Sequence, residues 1–167
     1  MSENQNWYAV YTRPRWEKKV ADLLGRKKIE NYCPLNQVVR QWSDRKKIVE
    51  EPLLKSYLFV YISAKEHAEV SMTYGFTRFI YFSGRIASIP DKQLEDLRLL
   101  LANSTDLELI EHNISLGEKV LIKAGPFKGI MAELVSLKSK KSLVLRLEQI
   151  GYAINIRTSM EFIEPLK

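Results

Sequence analysis

Residues 57–62 read Tyr-Leu-Phe-Val-Tyr-Ile, a continuous apolar run preceded by the Pro52-Leu-Leu-Lys-Ser56 segment. The run is short, aromatic and β-branched, which predicts a buried strand at the centre of a sheet. Side chains alternate along a strand, so Tyr57 and Phe59 share one face while Leu58 and Val60 take the other. The sequence does not say which of the two faces is the core.

The surrounding chain supplies partners for that strand. Trp7 to Thr12 (WYAVYT) reads as a strand, ended by Arg13-Pro14-Arg15. From Trp16 to about Lys28, apolar residues at Trp16, Val20, Leu23 and Leu24 have helical spacing, with Gly25 near the helix end. Asn31 to Leu35 is extended around Pro34. Val38–Trp42 and Lys46–Glu50 flank Ser43-Asp44-Arg45 as a hairpin with a basic tip. A short helix is expected over Ala64–Met72 and a strand over Phe76–Phe82. A second long helix starts at Pro90 or Asp91, with Leu94, Leu97, Leu100 and Leu101 on one face. Asp91, Glu95 and Asp96 are read as carboxylates at its start, where they favour the helix dipole.

Beyond Ala102 the character changes. Asn103 to His112 is polar and acidic and is assigned as a linker, although Leu107–Ile110 can extend. Lys119–Lys123, Met131–Leu137, Leu143–Leu147, Tyr152–Ile156 and Glu161–Ile163 are strand candidates separated by turns, a spacing that suggests a small barrel. Within it, Gly125-Pro126-Phe127-Lys128-Gly129 is a turn fenced by glycines. Residues 113–167 carry 9 Lys or Arg against 5 Asp or Glu. The whole chain carries a net charge of +6 and a pI near 9.3, favouring a polyanionic partner.

Several classes of protein are disfavoured. Cys33 is the lone cysteine, so no internal disulfide forms, and with two histidines the chain cannot furnish an ordinary zinc site. The polar Met1–Asn6 segment is not a signal peptide, and no apolar run is long enough for a membrane helix. No phosphate loop, nucleophile elbow or metal constellation is present. A non-enzymatic, cofactor-free, cytoplasmic protein is expected.

Gly117–Val135 (GEKVLIKAGPFKGIMAELV) resembles a KOW motif. WYAVYTRPRWEKKV, EEPLLKSYLFVYI and GFTRFIYFSGRIASIPDKQLEDL resemble the N-terminal domain of NusG-type transcription elongation factors, in the family's order. The LLKSYLFV version and the short length are more similar to specialised RfaH-like or capsule-locus antiterminator paralogues. The resemblance implies an α+β fold: an N-terminal antiparallel sheet flanked by helices over residues 1–102, a linker over 103–112, and a five-stranded SH3-like barrel over 113–167.

It also implies sites. Family members bind the clamp helices of the largest RNA polymerase subunit through an apolar cavity, whose matching residues are Tyr11, Pro52, Leu54, Tyr57 and Phe59. Phe59 can equally be a core residue. Arg13, Arg15, Lys18 and Lys19 form a basic cluster that matches contacts to the non-template DNA strand, with Trp16 and Tyr74 as stacking platforms. Trp16 is expected chiefly in the core. Arg40, Arg45, Lys46 and Lys47 are a second basic set on the hairpin. His67 falls near the segment that touches the opposite polymerase pincer in RfaH.

In the C-terminal module Phe127, Lys128 and Ile150 match a partner-binding edge that can take a small-subunit ribosomal protein. Phe127 is expected over the barrel rim and Lys128 in solvent. Ile150 stands where the housekeeping factor has Phe, which argues against contact with Rho. Ala132 replaces a common glycine and predicts a regular strand. The Leu-, Lys- and Glu-rich stretch from Ala132 to Ile150 has helix-forming composition, yet the β form is expected. The expected function is antitermination by a monomer that bridges the polymerase cleft. The alternative is a ribosome-associated or RNA-binding KOW module.

Overall fold

The computed structural model describes residues 4–110, 114–137 and 139–166. Outside them lie the first three residues of the polar N-terminal segment, residues 111 and 112 of the expected linker, residue 113 at the expected start of the barrel, and residues 138 and 167.

The elements run β1 (Asn6–Thr12), α1 (Glu17–Arg26), β2 (Glu30–Tyr32), β3 (Leu35–Gln41), β4 (Lys46–Pro52) and β5 (Tyr57–Ile62). A 3-10 turn at Ala64–Glu66 leads into α2 (His67–Ser71), then β6 (Phe76–Phe79), β7 (Tyr81–Phe82), β8 (Arg85–Ile86), β9 (Ser88–Ile89) and α3 (Asp91–Ala102). The chain continues through β10 (Leu109–Ile110), β11 (Glu118–Ile122), β12 (Met131–Leu137), β13 (Lys140–Leu147), β14 (Tyr152–Ile156) and β15 (Ile163–Pro165). The class is mixed α and β, with antiparallel sheets and few helices. Two compact units result: Met1–Leu35 with Pro52–Asp91, and Asn36–Glu51 with Lys92–Lys167.

In the first unit the sheet order is β2-β5-β1-β6, with β9 also on β1. The apolar run is β5, interior to the sheet as expected. Its Leu58, Val60 and Ile62 join Val10 of β1, and Val20 and Leu24 of α1, in one buried cluster. The four-residue step from Val20 to Leu24 keeps both on one helical face. The Glu17 carboxylate, itself buried, accepts a hydrogen bond of 2.8 Å from the Ser56 N–H. That bond fixes the turn entering β5, where Ser56 adopts a positive φ of 68° and the Tyr57 N–H reaches the Leu54 carbonyl.

The expected Phe76–Phe82 strand is not continuous. The Ile80 N–H still reaches the Ala9 carbonyl. Tyr81 and Phe82 then pair with Ile86 and Arg85 in a small hairpin of their own. The turn Ser83-Gly84, with φ of 53° and 80°, sends the chain back and breaks the run.

In the second unit the strand order is β10-β14-β13-β12-β11-β15. Six strands replace the expected five, because Leu109 and Ile110 leave the polar segment to pair with Ile154 and Ala153. Among the described residues the ladder is open, with β10 and β15 at its ends. The last strand starts later than expected, since Met160–Phe162 forms a 3-10 turn. The Leu- and Lys-rich stretch is β12 and β13, as expected. Val135, Val144 and Ala153 are buried together, so burial on one sheet face overrides helix propensity.

Gly117 permits the start of this sheet: a Cβ there would lie 1.9 Å from the Leu134 carbonyl oxygen. The expected hairpin forms as β3 and β4, closed by the Trp42 N–H on the Arg45 carbonyl. Asp96 departs from expectation. Beyond the first turn and four residues after Lys92, it is buried, accepting from Lys92 Nζ at 2.6 Å and from the Met131 N–H at 3.2 Å. Its carboxylate serves packing rather than the helix dipole.

Candidate functional site

Register decides the use of each face of β5. Tyr11 lies opposite Tyr57, Ala9 opposite Phe59, and Trp7 opposite Tyr61. These residues occupy the sheet face opposite the one covered by α1. Their rings meet in pairs. Tyr11 and Tyr57 stand edge to face with centroids 5.3 Å apart, Trp7 and Tyr61 are 5.2 Å apart, and Tyr32 stacks on Phe59 at 6.4 Å. The Arg78 guanidinium lies 5.3 Å from the Tyr11 ring centroid.

Leu54 and Phe59 are fully buried, while Tyr11, Tyr57 and Pro52 are partly exposed. Phe59 is thus buried, but it does not belong to the cluster beneath α1. Trp7, Tyr32, Tyr61 and Arg78 share the aromatic face and were not singled out in the sequence. Extending the period-2 alternation from Tyr57 to Tyr61 finds one of them. The others need the strand register.

The basic cluster resolves into a column. Lys19 Nζ sits 4.7 Å from the Trp16 ring centroid, Trp16 stands edge-on to Tyr74 at 5.0 Å, and the Arg13 guanidinium lies 5.0 Å from the Tyr74 centroid. Arg13 Nη1 also donates to Tyr74 Oη at 3.3 Å. Local backbone builds this order. The Arg13 N–H bonds the Gly75 carbonyl, and the Trp16 N–H bonds the Arg13 carbonyl. Gly75 has a φ of 94°, and a Cβ on it would lie 2.8 Å from Trp16 Cε3, so only glycine lets the Tyr74 segment close on Trp16.

Trp16 is half-buried: it packs against the core, as expected, while its ring also stands in the column. Tyr74 is 62% exposed. Arg15 is exposed, in a left-handed conformation with φ 68°. Lys18 is exposed and stands near Cys33, whose thiol it pulls down slightly. Burial, then the Glu17 charge, outweigh that and push the thiol up to about 11.

The second basic set belongs to the other unit. Arg40 Nη2 bonds Glu51 Oε1 at 2.7 Å, and that hydrogen bond and charge raise the guanidinium further. Lys47 Nζ lies 4.9 Å from the Trp42 ring, and Arg45 and Lys46 are exposed at the tip. Trp42, 47% exposed, went unremarked in the sequence although it adjoins the turn.

The glycine-fenced turn matches expectation. Gly125 and Gly129 take φ of 84° and 98°, Phe127 is buried and Lys128 is exposed. The Gly129 N–H closes the turn on the Ile122 carbonyl at 2.8 Å. Ala132 lies in a regular strand opposite Val120. Ile150 is half-buried in a 3-10 turn ended by Gly151. No group of His, Cys, Asp and Glu that could hold a metal ion occurs among the described residues.

Comparison with known proteins returns one family, described as "Transcription termination factor nusG", whose model matches residues 5–98. Among solved structures the chain is similar to Thermotoga maritima NusG, from "Domain interaction in Thermotoga maritima NusG". That match has 17% identity and a TM-score of 0.55, and covers 98% of each chain. A likeness to the MjSpt4:Spt5 complex in conformation A has 22% identity and a TM-score of 0.32, covering 96% of this chain and 97% of that one.

Proposed function

We propose a function that starts from one fact: this chain belongs to the NusG family of transcription factors, which is not an enzyme family. It acts as a specialised, RfaH-like or capsule-locus elongation and antitermination factor. It binds RNA polymerase at the tip of the clamp helices through the aromatic face of β1 and β5, with Tyr11, Tyr57 and Phe59 at its centre and Pro52 and Leu54 at its edge. One observation carries this reading. Paired rings occupy the sheet face that α1 does not cover, and Tyr11 and Tyr57 retain partial exposure. A few desolvated aromatics can supply most of an interface's binding energy.

The Arg13–Tyr74–Trp16–Lys19 column then contacts the non-template strand, cations for phosphate and rings for bases. The β3–β4 tip is a second nucleic-acid contact. Residues 1–102, 103–112 and 113–167 act as polymerase-binding domain, linker and KOW barrel. The continuous antiparallel ladder from β11 through β14 supports the barrel. Phe127, Lys128 and Ile150 form its partner edge for a small-subunit ribosomal protein. The protein works as a cytoplasmic monomer. Polymerase binding shifts the enzyme toward its processive state because the factor prefers that state.

Single-round transcription in vitro tests the proposal. Added protein should lengthen transcripts through pause and terminator sites, and Tyr57→Ala should abolish the effect. Increased termination with the intact protein would reverse the antitermination reading.

A further inference from the structure

Residues 103–110 look like a tether in the sequence, yet the second unit uses them as a tie. Asn103 ends α3 by donating from its side chain to the Leu99 carbonyl at 3.0 Å. Asp106 then takes a left-handed φ of 52°, a conformation aspartate tolerates better than most residues. The turn lays the chain along β3. The Asp106 N–H donates to the Gln37 carbonyl at 2.8 Å, and the Asp106 carboxylate accepts from the Val39 N–H at 3.3 Å.

Asn36 completes this seam. Its side chain is buried and pairs with both backbone groups of Leu107: Nδ2 donates to the carbonyl at 3.2 Å, and Oδ1 accepts from the N–H at 3.2 Å. The side-chain amide thus does what a neighbouring peptide does in a strand ladder. A buried amide satisfied at both ends fixes one register, because a slip by one residue leaves its groups unpaired. Further along, the same segment joins the C-terminal sheet. The Asn155 N–H donates to the Glu108 carbonyl at 3.0 Å, and Leu109 and Ile110 pair with Ile154 and Ala153 of β14. Ile110 also packs against Val135, Val144 and Ala153. Consecutive residues therefore carry hydrogen bonds from β3 to β14.

We infer that residues 106–110 are a strap that locks the β3–β4 hairpin to the β14 edge of the C-terminal sheet. The sheet is carried at a set bearing to the hairpin rather than on a free tether. The strap also occupies the outer edge of β14, whose backbone groups would otherwise stand open to another strand. While it stays in place, no strand-donating partner adds there. Opening it frees the hairpin and bares that edge in one step. The inference uses only bonds within the second unit and stands apart from the polymerase and nucleic-acid readings.

The test uses the full chain with nitroxide labels at Ile48→Cys on β4 and Ser136→Cys on β12, both exposed, in a Cys33→Ala background. Double electron–electron resonance reads the distance between them. The intact strap should give one narrow distance distribution. Asp106→Pro, at an exposed position, removes the N–H that reaches Gln37 and cannot take a positive φ. It should leave circular dichroism unchanged and broaden the distribution about twofold or more, as a freed hairpin would. Asn36→Ala should broaden it too, and amide exchange at Leu107 should quicken about tenfold. A broad distribution in the chain with its strap intact overturns the proposal. So does a narrow one that neither variant widens, which would place the hold elsewhere, as at the bond from Lys92 to the Gly129 carbonyl.

Discussion

The Arg146 guanidinium holds the Glu133 carboxylate with two hydrogen bonds, Nε to Oε1 at 2.9 Å and Nη2 to Oε2 at 2.7 Å. The Gly117 N–H adds a third at 2.8 Å. Burial works to raise the Glu133 carboxyl, but the bonds from Arg146 and Gly117 and the Arg146 charge carry it below the usual range. A depressed acid stabilises the fold above its unfolded pKa, and that stability is lost as pH falls through the folded value. Urea unfolding should therefore show the intact protein weakening below about pH 4.5, the ordinary value for this group. Glu133→Gln should cost about 1–3 kcal/mol at neutral pH, because it leaves the half-buried Arg146 guanidinium without its ionic partner, and should flatten the acid limb. An unchanged acid limb would assign the pair no such role.

Two glycine substitutions should move stability in opposite directions. Gly117→Ala forces a Cβ into the Leu134 carbonyl, a backbone atom that cannot yield without disturbing the β11–β12 pairing. A loss of about 3 kcal/mol or more is expected. Gly25 lies within α1 with open space around it, so Gly25→Ala should stabilise by about 0.5–1 kcal/mol. Chemical denaturation of both variants checks the signs.

Cys33 should react slowly. With its thiol pushed up to about 11 by burial and the Glu17 charge, little thiolate exists at neutral pH. Iodoacetamide labelling of the folded chain should be far slower than that of the urea-unfolded chain at pH 8, and should keep rising with pH toward 11. Equal rates would show that the site is open.

Much of the fold was legible where local pattern and burial agree. The β5 run, the α1 spacing and the Gly125–Gly129 turn all needed only neighbours in sequence. What stayed hidden depends on distant partners. Leu109 and Ile110 look like linker until Ile154 and Ala153 offer them hydrogen bonds. Asp96 looks like a helix-start charge until the Met131 N–H meets it. The site divides the same way. Tyr57 and Phe59 could be paired by alternation, but the choice of face waited on which side received Val20 and Leu24. The resemblance brought Arg13, Trp16, Lys19 and Tyr74 together as one site, but their order as a column depends on the Arg13 and Gly75 backbones meeting across 62 residues.

That column makes its own prediction. Gly75→Ala places a methyl against Trp16 and Val20, which should displace the Trp16 ring while sparing most of the sheet. Tryptophan fluorescence should shift, and affinity for a single-stranded oligonucleotide should fall several-fold, as it should for Tyr74→Ala. Retained affinity in both variants would remove the column from nucleic-acid binding.

The most direct measurement is the affinity of the intact chain and of Tyr57→Ala for a reconstituted RNA polymerase elongation complex, with and without the clamp-helix tip. Truncating an anchoring aromatic should cost about 2 kcal/mol or more, a loss of roughly thirtyfold, and deleting the tip should produce a comparable loss with no further effect of Tyr57→Ala. Equal affinity for the two proteins, with the variant folded, would contradict the assignment of the β1–β5 aromatic face to polymerase.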